Sequence, residues 1–325
     1  MDMNISARII ITASLLAGSL APLRAETKEA IKYGDFEHWV TRNIHESAVI
    51  GGKTKQVYEI APTATINGDT PYRNRGGSPW ATSNVMAKVA GVTKTSNAVF
   101  PDARPGGGRA CKLTTMLEHC KALGIINIDV LVAGSIFLGE FLEPVKSTSE
   151  PYSKMEMGIP FTKRPKALEF DYRLSMPPAS TGRLYAPGFG KQKKYTGNDH
   201  AEVYIILQRR WEDKDGNLYA KRVGTGREHF GKDTNGWVND HRLTVHYGDI
   251  TSQPFYKSYM GLIPKNKSYY ARNSKGKMVP VQEVGWDSPD ATPTHLMVMA
   301  SSGSGTAYIG TLGLTLWVDN FQLVY

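Results

Sequence analysis

At 325 residues, with 32 glycines, 18 prolines, 16 tyrosines, 10 phenylalanines and 6 tryptophans, the chain has the composition of many short strands joined by turns, not of a helical bundle. Its length exceeds the ~150-residue prior for one domain, but all-β units of ~200–250 residues are common, so length forces no division. The formal charge of +9 is spread along the chain, with one local cluster at Lys191, Lys193 and Lys194. No nucleic-acid recognition motif accompanies it, which sets nucleic acid aside and leaves solvated loops or attraction to an anionic polysaccharide.

The first 25 residues carry Arg8, an apolar stretch from Ile9 to Ala21, and Leu23-Arg24-Ala25 with a small residue at the end. This pattern predicts a secretory signal peptide cut after Ala25, leaving residues 26–325 as a single exported domain that stays basic. The apolar stretch falls short of the ~20 residues a membrane span needs, and no other stretch approaches that, so no transmembrane segment is expected.

Tyr33 to Trp39 is the first anchored element, with Phe36 and Trp39 flanking Glu37. Ser47 to Thr54 (SAVIGGKT) lacks the first glycine of a phosphate loop and reads as a loop. Val57 to Ile60 reads as a strand, and Pro79-Trp80-Ala81-Thr82-Ser83-Asn84 as a loop rich in turn-forming neighbours. Residues 109–124 fit a strand followed by a helical turn or loop, and residues 125–141 fit two buried strands broken at Gly134 and Gly139. Cys111 and Cys120 lie in a chain expected to reach an oxidising compartment, but a disulfide would need a turn between them, and their pairing stays open.

Residues 167–174 alternate, with Leu168, Phe170, Tyr172 and Leu174 on one face and Glu169, Asp171 and Arg173 on a face expected to meet solvent. A long loop precedes the strand Ala201 to Leu207, and Asp213 to Asn217 (DKDGN) predicts a hairpin turn. Leu243 to Tyr247 is a further strand. At the end, Leu296 to Ala300 is expected to pair with Ala307 to Ile309 across a Ser/Gly connection. Leu314, Leu316 and Val318 share one parity, whereas Phe321, Leu323 and Tyr325 share the other, so the period-2 pattern slips by one and predicts a β-bulge at Asp319 and Asn320. Those two side chains would cap backbone groups or hold a hard cation through oxygen.

The histidines show no HExxH and no paired short spacing, which sets zinc aside, and no GxSxG occurs. Glycoside cleavage needs two carboxyl groups ~5–9.5 Å apart; Glu169 and Asp171 share a strand face at about that distance, Asp199 and Glu202 precede and enter the next clear strand, and Glu169, Asp171 and Asp199 are the candidates if the chain is an enzyme. For binding without catalysis, Trp80 with Asn84, and Trp237 with Asn235 and Asp240, combine an aromatic platform with polar side chains that suit the flat faces and hydroxyls of a sugar.

The FEHW near the start, PWATSN, AGSIFLGEF, GIPFTKRPKALEFDY, NDHAEVYIIL and the closing ASSGSG, AYIGTLG and LWVDNFQL, in that order, resemble the putative carbohydrate metabolism domain of exported Bacteroidetes proteins over residues 33–325. The resemblance implies a β-sandwich of the galactose-binding-like jelly-roll type, with long loops, little helix, and carbohydrate as the partner. It also implies that Phe36 and Glu37 lie beside Val318 and Asp319, where Glu37 and Asp319 would hold a structural calcium ion; no cofactor is otherwise required. The expected function is a non-catalytic glycan-binding protein for carbohydrate use in the periplasm, at the outer-membrane surface or outside the cell, with room for envelope protein partners. The alternatives are a glycoside hydrolase or lyase and a structural or adhesive envelope component.

Overall fold

The computed structural model describes residues 26–89, 91–122, 126–304 and 306–325; the signal-peptide expectation lies outside the described residues. Apart from four single-turn 3-10 segments, every regular element among them is a strand. Two large sheets organise the chain. In the first, Thr315–Val324 is central, flanked by Arg109–Ala122 and Ala167–Ser175, with Ile126–Ala133 and Val238–Thr244 farther out. In the second, seven strands close a ring: His295–Ser301, Ala201–Glu212, Leu218–Phe230, Met278–Trp286, Tyr270–Arg272, Met155–Met157 and Ser135–Phe141. The last returns to the first through Ser135↔Ser301, Ile136↔Ala300 and Phe137↔Met299.

Side-chain alternation along Ala201–Glu212 explains why both structures form. Val203, Ile205 and Leu207 pack with Leu168, Phe170, Leu316, Val318 and Leu323 in the core between ring and open sheet. Tyr204 and Ile206, on the other parity, pack with Phe137, Met157 and Met297 inside the ring. A strand buried on both faces needs a near-continuous apolar run, as AEVYIIL supplies, and each aliphatic side chain buried there stabilises by about 1.5–3 kcal/mol. One end of the ring is plugged by polar groups. Arg222 and Glu283 are both fully buried, and the Glu283 carboxylate also accepts from Gln208 Nε2 at 2.6 Å and the Ile263 amide at 2.6 Å.

The all-β expectation therefore holds, and the two-sheet core is present. Closure of one of the sheets into a ring is a feature that the jelly-roll expectation does not include. The predicted bulge is found: Asp171 pairs with Asp319 but Glu169 pairs with Gln322, so the terminal strand carries one extra residue, and Asn320 takes φ +54°. The first strand, Lys28–Ala30, lies beside the last, the Phe321 amide bonds Gly34 O and the Phe36 ring meets that of Phe321, so the Phe36 region meets the last strand at Phe321, just past the bulge, rather than at the expected Val318 and Asp319.

Four expectations need correction. Residues 295–301 do not pair with 309–310, because their edges are taken by Ala201–Glu212 and Ser135–Phe141, while Ile309–Gly310 pairs with Arg183–Tyr185. PWATSN is not a loop; Trp80–Thr82 is a strand paired with Ser135–Phe141. Arg109–Ala122 stays a strand throughout, since Ile126–Ala133 pairs along its second half. The polar face of Ala167–Ser175 is covered, leaving Glu169 and Asp171 about 5% and 6% exposed. Asp213–Asn217 does form the expected hairpin turn, and Cys111 and Cys120 are free thiols on one extended strand.

Candidate functional site

Where the ring opens away from its polar plug, a cavity of about 380 Å³ extends between the ring, the hairpin Val85–Val89/Val92–Ser96 and the paired strands Arg109–Ala122 and Ile126–Ala133. That volume falls within the range of small-molecule sites. Its inner end is lined by Glu202, Tyr204, Arg227, Tyr269 and Tyr152. Register places these groups: Tyr204 is opposite Arg227 and Met299, and Glu202 is opposite His229 and Ser301, so all point to the inside of the ring.

Glu202 is about 3% exposed and accepts from Arg227 Nε at 3.1 Å, Arg227 Nη2 at 2.8 Å and His229 Nε2 at 2.7 Å. Arg227 Nη1 makes no hydrogen bond among the described residues, which leaves its two protons for a ligand. The Arg227 guanidinium also sits 5.3 Å from the Tyr204 ring centroid. Tyr204 Oη is buried and has no hydrogen-bond partner among the described residues. Tyr152 Oη accepts from the Ala307 amide at 3.1 Å, which leaves its own proton to donate. Burial pushes the Tyr204 and Tyr152 phenols up and that of Tyr269 to about 12, so all three stay protonated and able to donate at neutral pH.

The outer end is different in kind. Val85, Ala87, Val89 and Val92 line one wall, and Ile128, Val130 and Val132 line the other, all half-buried. Between them in sequence, Met86 and Leu131 are buried on the opposite faces of their strands or at the cavity floor. Sequence reading named Glu202 but did not assemble this site. The apolar run INIDVLVA was legible as strand, but which partner each face met was not, and Val85–Val89 was not read as a strand.

The residues nominated from sequence fall elsewhere. Trp80 is 1% exposed, packed edge-on to Phe36 and Phe321 with its Nε1 bonded to Lys32 O, so it is core and not a stacking platform. Asn84 is equally buried and secures backbone, accepting from the Ala98 and Val99 amides and donating to Tyr58 O and Val99 O. Trp237 is half-buried beneath the Arg104 guanidinium, 4.4 Å from its ring centroid, with Asn235 and Asp240 exposed nearby in sequence. The Asp240 amide is fixed on Asp171.

The carboxylates considered for hydrolysis are all engaged, and of them Glu202 lines the cavity while Glu169, Asp171 and Asp199 do not. Glu169 pairs with Lys28 and accepts from Gln322 Nε2 at 2.7 Å. Asp171 accepts from Arg104 Nη2 at 2.6 Å, Asn320 Nδ2 at 2.8 Å and the Asp240 amide at 2.7 Å. Burial pushes its carboxyl up, but these bonds outweigh burial and hold it below the usual value. Asp199 accepts from Ser304 Oγ at 2.9 Å and from the His200 amide at 2.9 Å.

The two carboxylates expected to hold calcium each have a protein partner of their own. Glu37 accepts from the Arg109 amide at 2.9 Å, while Asp319 is ion-paired to Arg104. Among the described residues no three or more His, Cys, Asp or Glu side chains gather as a metal site. A guanidinium, not a cation bridging the two carboxylates, meets the charge at the bulge.

Among solved structures, a putative glycoside hydrolase from Bacteroides thetaiotaomicron is similar at 18% identity, covering 84% of this chain and 81% of that one with a TM-score of 0.43. A putative glycoside hydrolase from Bacteroides vulgatus is similar at 14% identity, covering 78% of this chain and 97% of that one with a TM-score of 0.38. No curated protein matches the chain. The model of the family described as putative carbohydrate metabolism domain matches residues 35–324, nearly the whole of the described structure, and the chain belongs to that family.

Proposed function

We propose that this chain binds a glycan without cleaving it, as an exported component of the bacterial envelope involved in carbohydrate use. The observation that supports this most is the inner end of the cavity, where three protonated tyrosines surround a fixed Glu202–Arg227 pair. A pyranose offers apolar ring faces and a girdle of hydroxyls that both donate and accept, and tyrosine rings, phenols and a carboxylate–guanidinium pair satisfy both demands. Membership in a family described by carbohydrate metabolism supports the same class of partner. Binding is favoured over hydrolysis because Glu169, Asp171 and Asp199 are each satisfied by neighbours away from the cavity, and of the carboxylates that line it Glu202 is held by Arg227 and His229 and Glu118 by Lys94, whereas cleavage needs two carboxyl groups across the sugar.

A glycan array, run beside a reducing-end assay on a polysaccharide panel, tests the reading. The expected result is retention on the array without release of reducing ends, with retention lost in Glu202→Gln. Release of reducing ends that Glu202→Gln abolishes would point to a hydrolase, and an array without any retained glycan would point to a structural or adhesive component. Export rests on the pattern of residues 1–25. Mass spectrometry of the native N-terminus should find it near Glu26, and an intact Met1 would reject export by this route.

A further inference from the structure

We infer that the ligand is a sugar bearing an apolar substituent, an alkyl, acyl or aryl group, with the substituent lodged between the hairpin Val85–Val89/Val92–Ser96 and the strand Ile126–Ala133. This rests on the reading of the inner end as the sugar site and adds the chemistry of the outer end.

The argument comes from the two faces of the hairpin. Met86 packs with Ile44 and Val57 in a small buried cluster, so that face is already satisfied by the protein. The opposite face would normally be polar, since water reaches it and alternation makes polar residues there the default. Instead Val85, Ala87, Val89 and Val92 occupy most of it, with Ser96 opposite Val85 and Lys94 opposite Ala87, and across the cavity Ile128, Val130 and Val132 repeat the pattern. Lys94 is already paired with Glu46 and with Glu118 of the opposite wall, so the aliphatic side chains around them are left with apolar surface in contact with water until a partner covers it. A bare sugar cannot cover them without loss, because its hydroxyls would be desolvated against aliphatic side chains while Lys94 and Glu118 already hold each other. An apolar substituent can. The cavity joins this slot to the buried, unpaired Tyr204 Oη at the inner end, so a single amphipathic ligand can satisfy both.

Calorimetry on the full chain with n-octyl and phenyl β-D-glucopyranoside, methyl β-D-glucopyranoside and 1-octanol tests the inference, all below micelle-forming concentration. The octyl or the phenyl glycoside should bind at least about tenfold tighter than the methyl glycoside. Preference for octyl would indicate a lipid-linked source, and preference for phenyl a phenolic one. Val130→Asp, and on the opposite wall Val92→Asp, should each remove that gain while leaving methyl glycoside binding unchanged; two walls guard against one variant failing to fold. Cys120 lines the cavity and supplies a readout in the unmutated protein, since the favoured glycoside should slow its reaction with a disulfide reagent. A gain below twofold, or no binding of either substituted glycoside, overturns the inference, while the glycan array judges the sugar reading separately. Equal binding of 1-octanol and octyl glucoside, unaffected by Tyr204→Phe, would instead overturn the sugar reading on which the inference rests.

Discussion

Asp171 and Asp319 are cross-strand partners at the edge of the terminal bulge, and the guanidinium of Arg104 bonds both carboxylates. Directly opposed like charges destabilise a sheet, so the bulge depends on that one arginine. Arg104→Met should cost about 3–5 kcal/mol in urea unfolding, the penalty of leaving buried charge without its counter-ion. Because Arg104 already meets the charge, the wild-type midpoint should be the same in calcium and in excess chelator. A midpoint that falls in chelator would restore the calcium reading of Glu37 and Asp319.

A second buried arginine is shared differently. Arg42 bonds Glu59 Oε1 at 2.9 Å and both oxygens of Glu143, at 3.0 and 2.6 Å, and Glu143 also accepts the Tyr72 and Met86 amides. Burial, with Glu143 adding to it, pushes Glu59 up to about 8 against the pull of Arg42, so Glu59 holds a proton at neutral pH. Glu59→Gln, which mimics the protonated acid, should therefore change stability by less than about 1 kcal/mol, whereas Glu143→Gln should cost about 3–5 kcal/mol. Equal losses in urea unfolding would show that both acids are ionised.

The bulge beside Asp171 was legible because a period of 2 admits no slip without leaving a mark, and the hairpin at Asp213 because its turn residues act locally. Trp80 was misread because glycines and prolines before it resemble a loop, while the strand that covers it, Ser135–Phe141, lies more than fifty positions away. The cavity was not legible at all. Its walls come from residues 83–96, 118–155, 202–227, 263–269 and 299–309, and their convergence depends on closure of the ring, which no local pattern encodes.

Acid should find a specific weak point in the ring wall. His295 is pulled down to about 4 by burial, ahead of the neighbouring Arg210 charge. Its folded value lies below its unfolded one of about 6.5, so between those values the unfolded state binds more protons and stability rises with pH. Its contribution is fully present above about pH 6.5 and is lost as pH falls towards 4. Asp319, raised to about 6 chiefly by burial, acts in the opposite sense, so total stability alone does not isolate the histidine. The difference between wild type and His295→Gln does: the wild type should gain on the variant by about 1–3 kcal/mol from pH 4 to 6.5. A difference that stays flat across that window would show His295 protonated in the fold.

The tryptophans and Glu202 can be told apart by one set of variants read two ways. Trp80 is buried against Phe36 and Phe321, so Trp80→Ala should cost about 3–5 kcal/mol and lower the unfolding midpoint, with any loss of glycan retention following from loss of the fold. Trp237 has one ring face under Arg104 and stands outside the cavity, so Trp237→Ala should leave the fold nearly unchanged, at about 1 kcal/mol or less, and leave glycan retention intact. Glu202→Gln keeps the shape of the side chain but leaves the Arg227 charge without its partner, at a cost of up to about 3–5 kcal/mol, so the midpoint should fall as well and retention should be lost even at temperatures well below it, where the variant is folded. Circular dichroism melts and array retention on the same three proteins give the comparison. If Trp237→Ala abolishes retention while Glu202→Gln preserves it, the sugar site is the surface loop carrying Trp237, Asn235 and Asp240, and the cavity has another role.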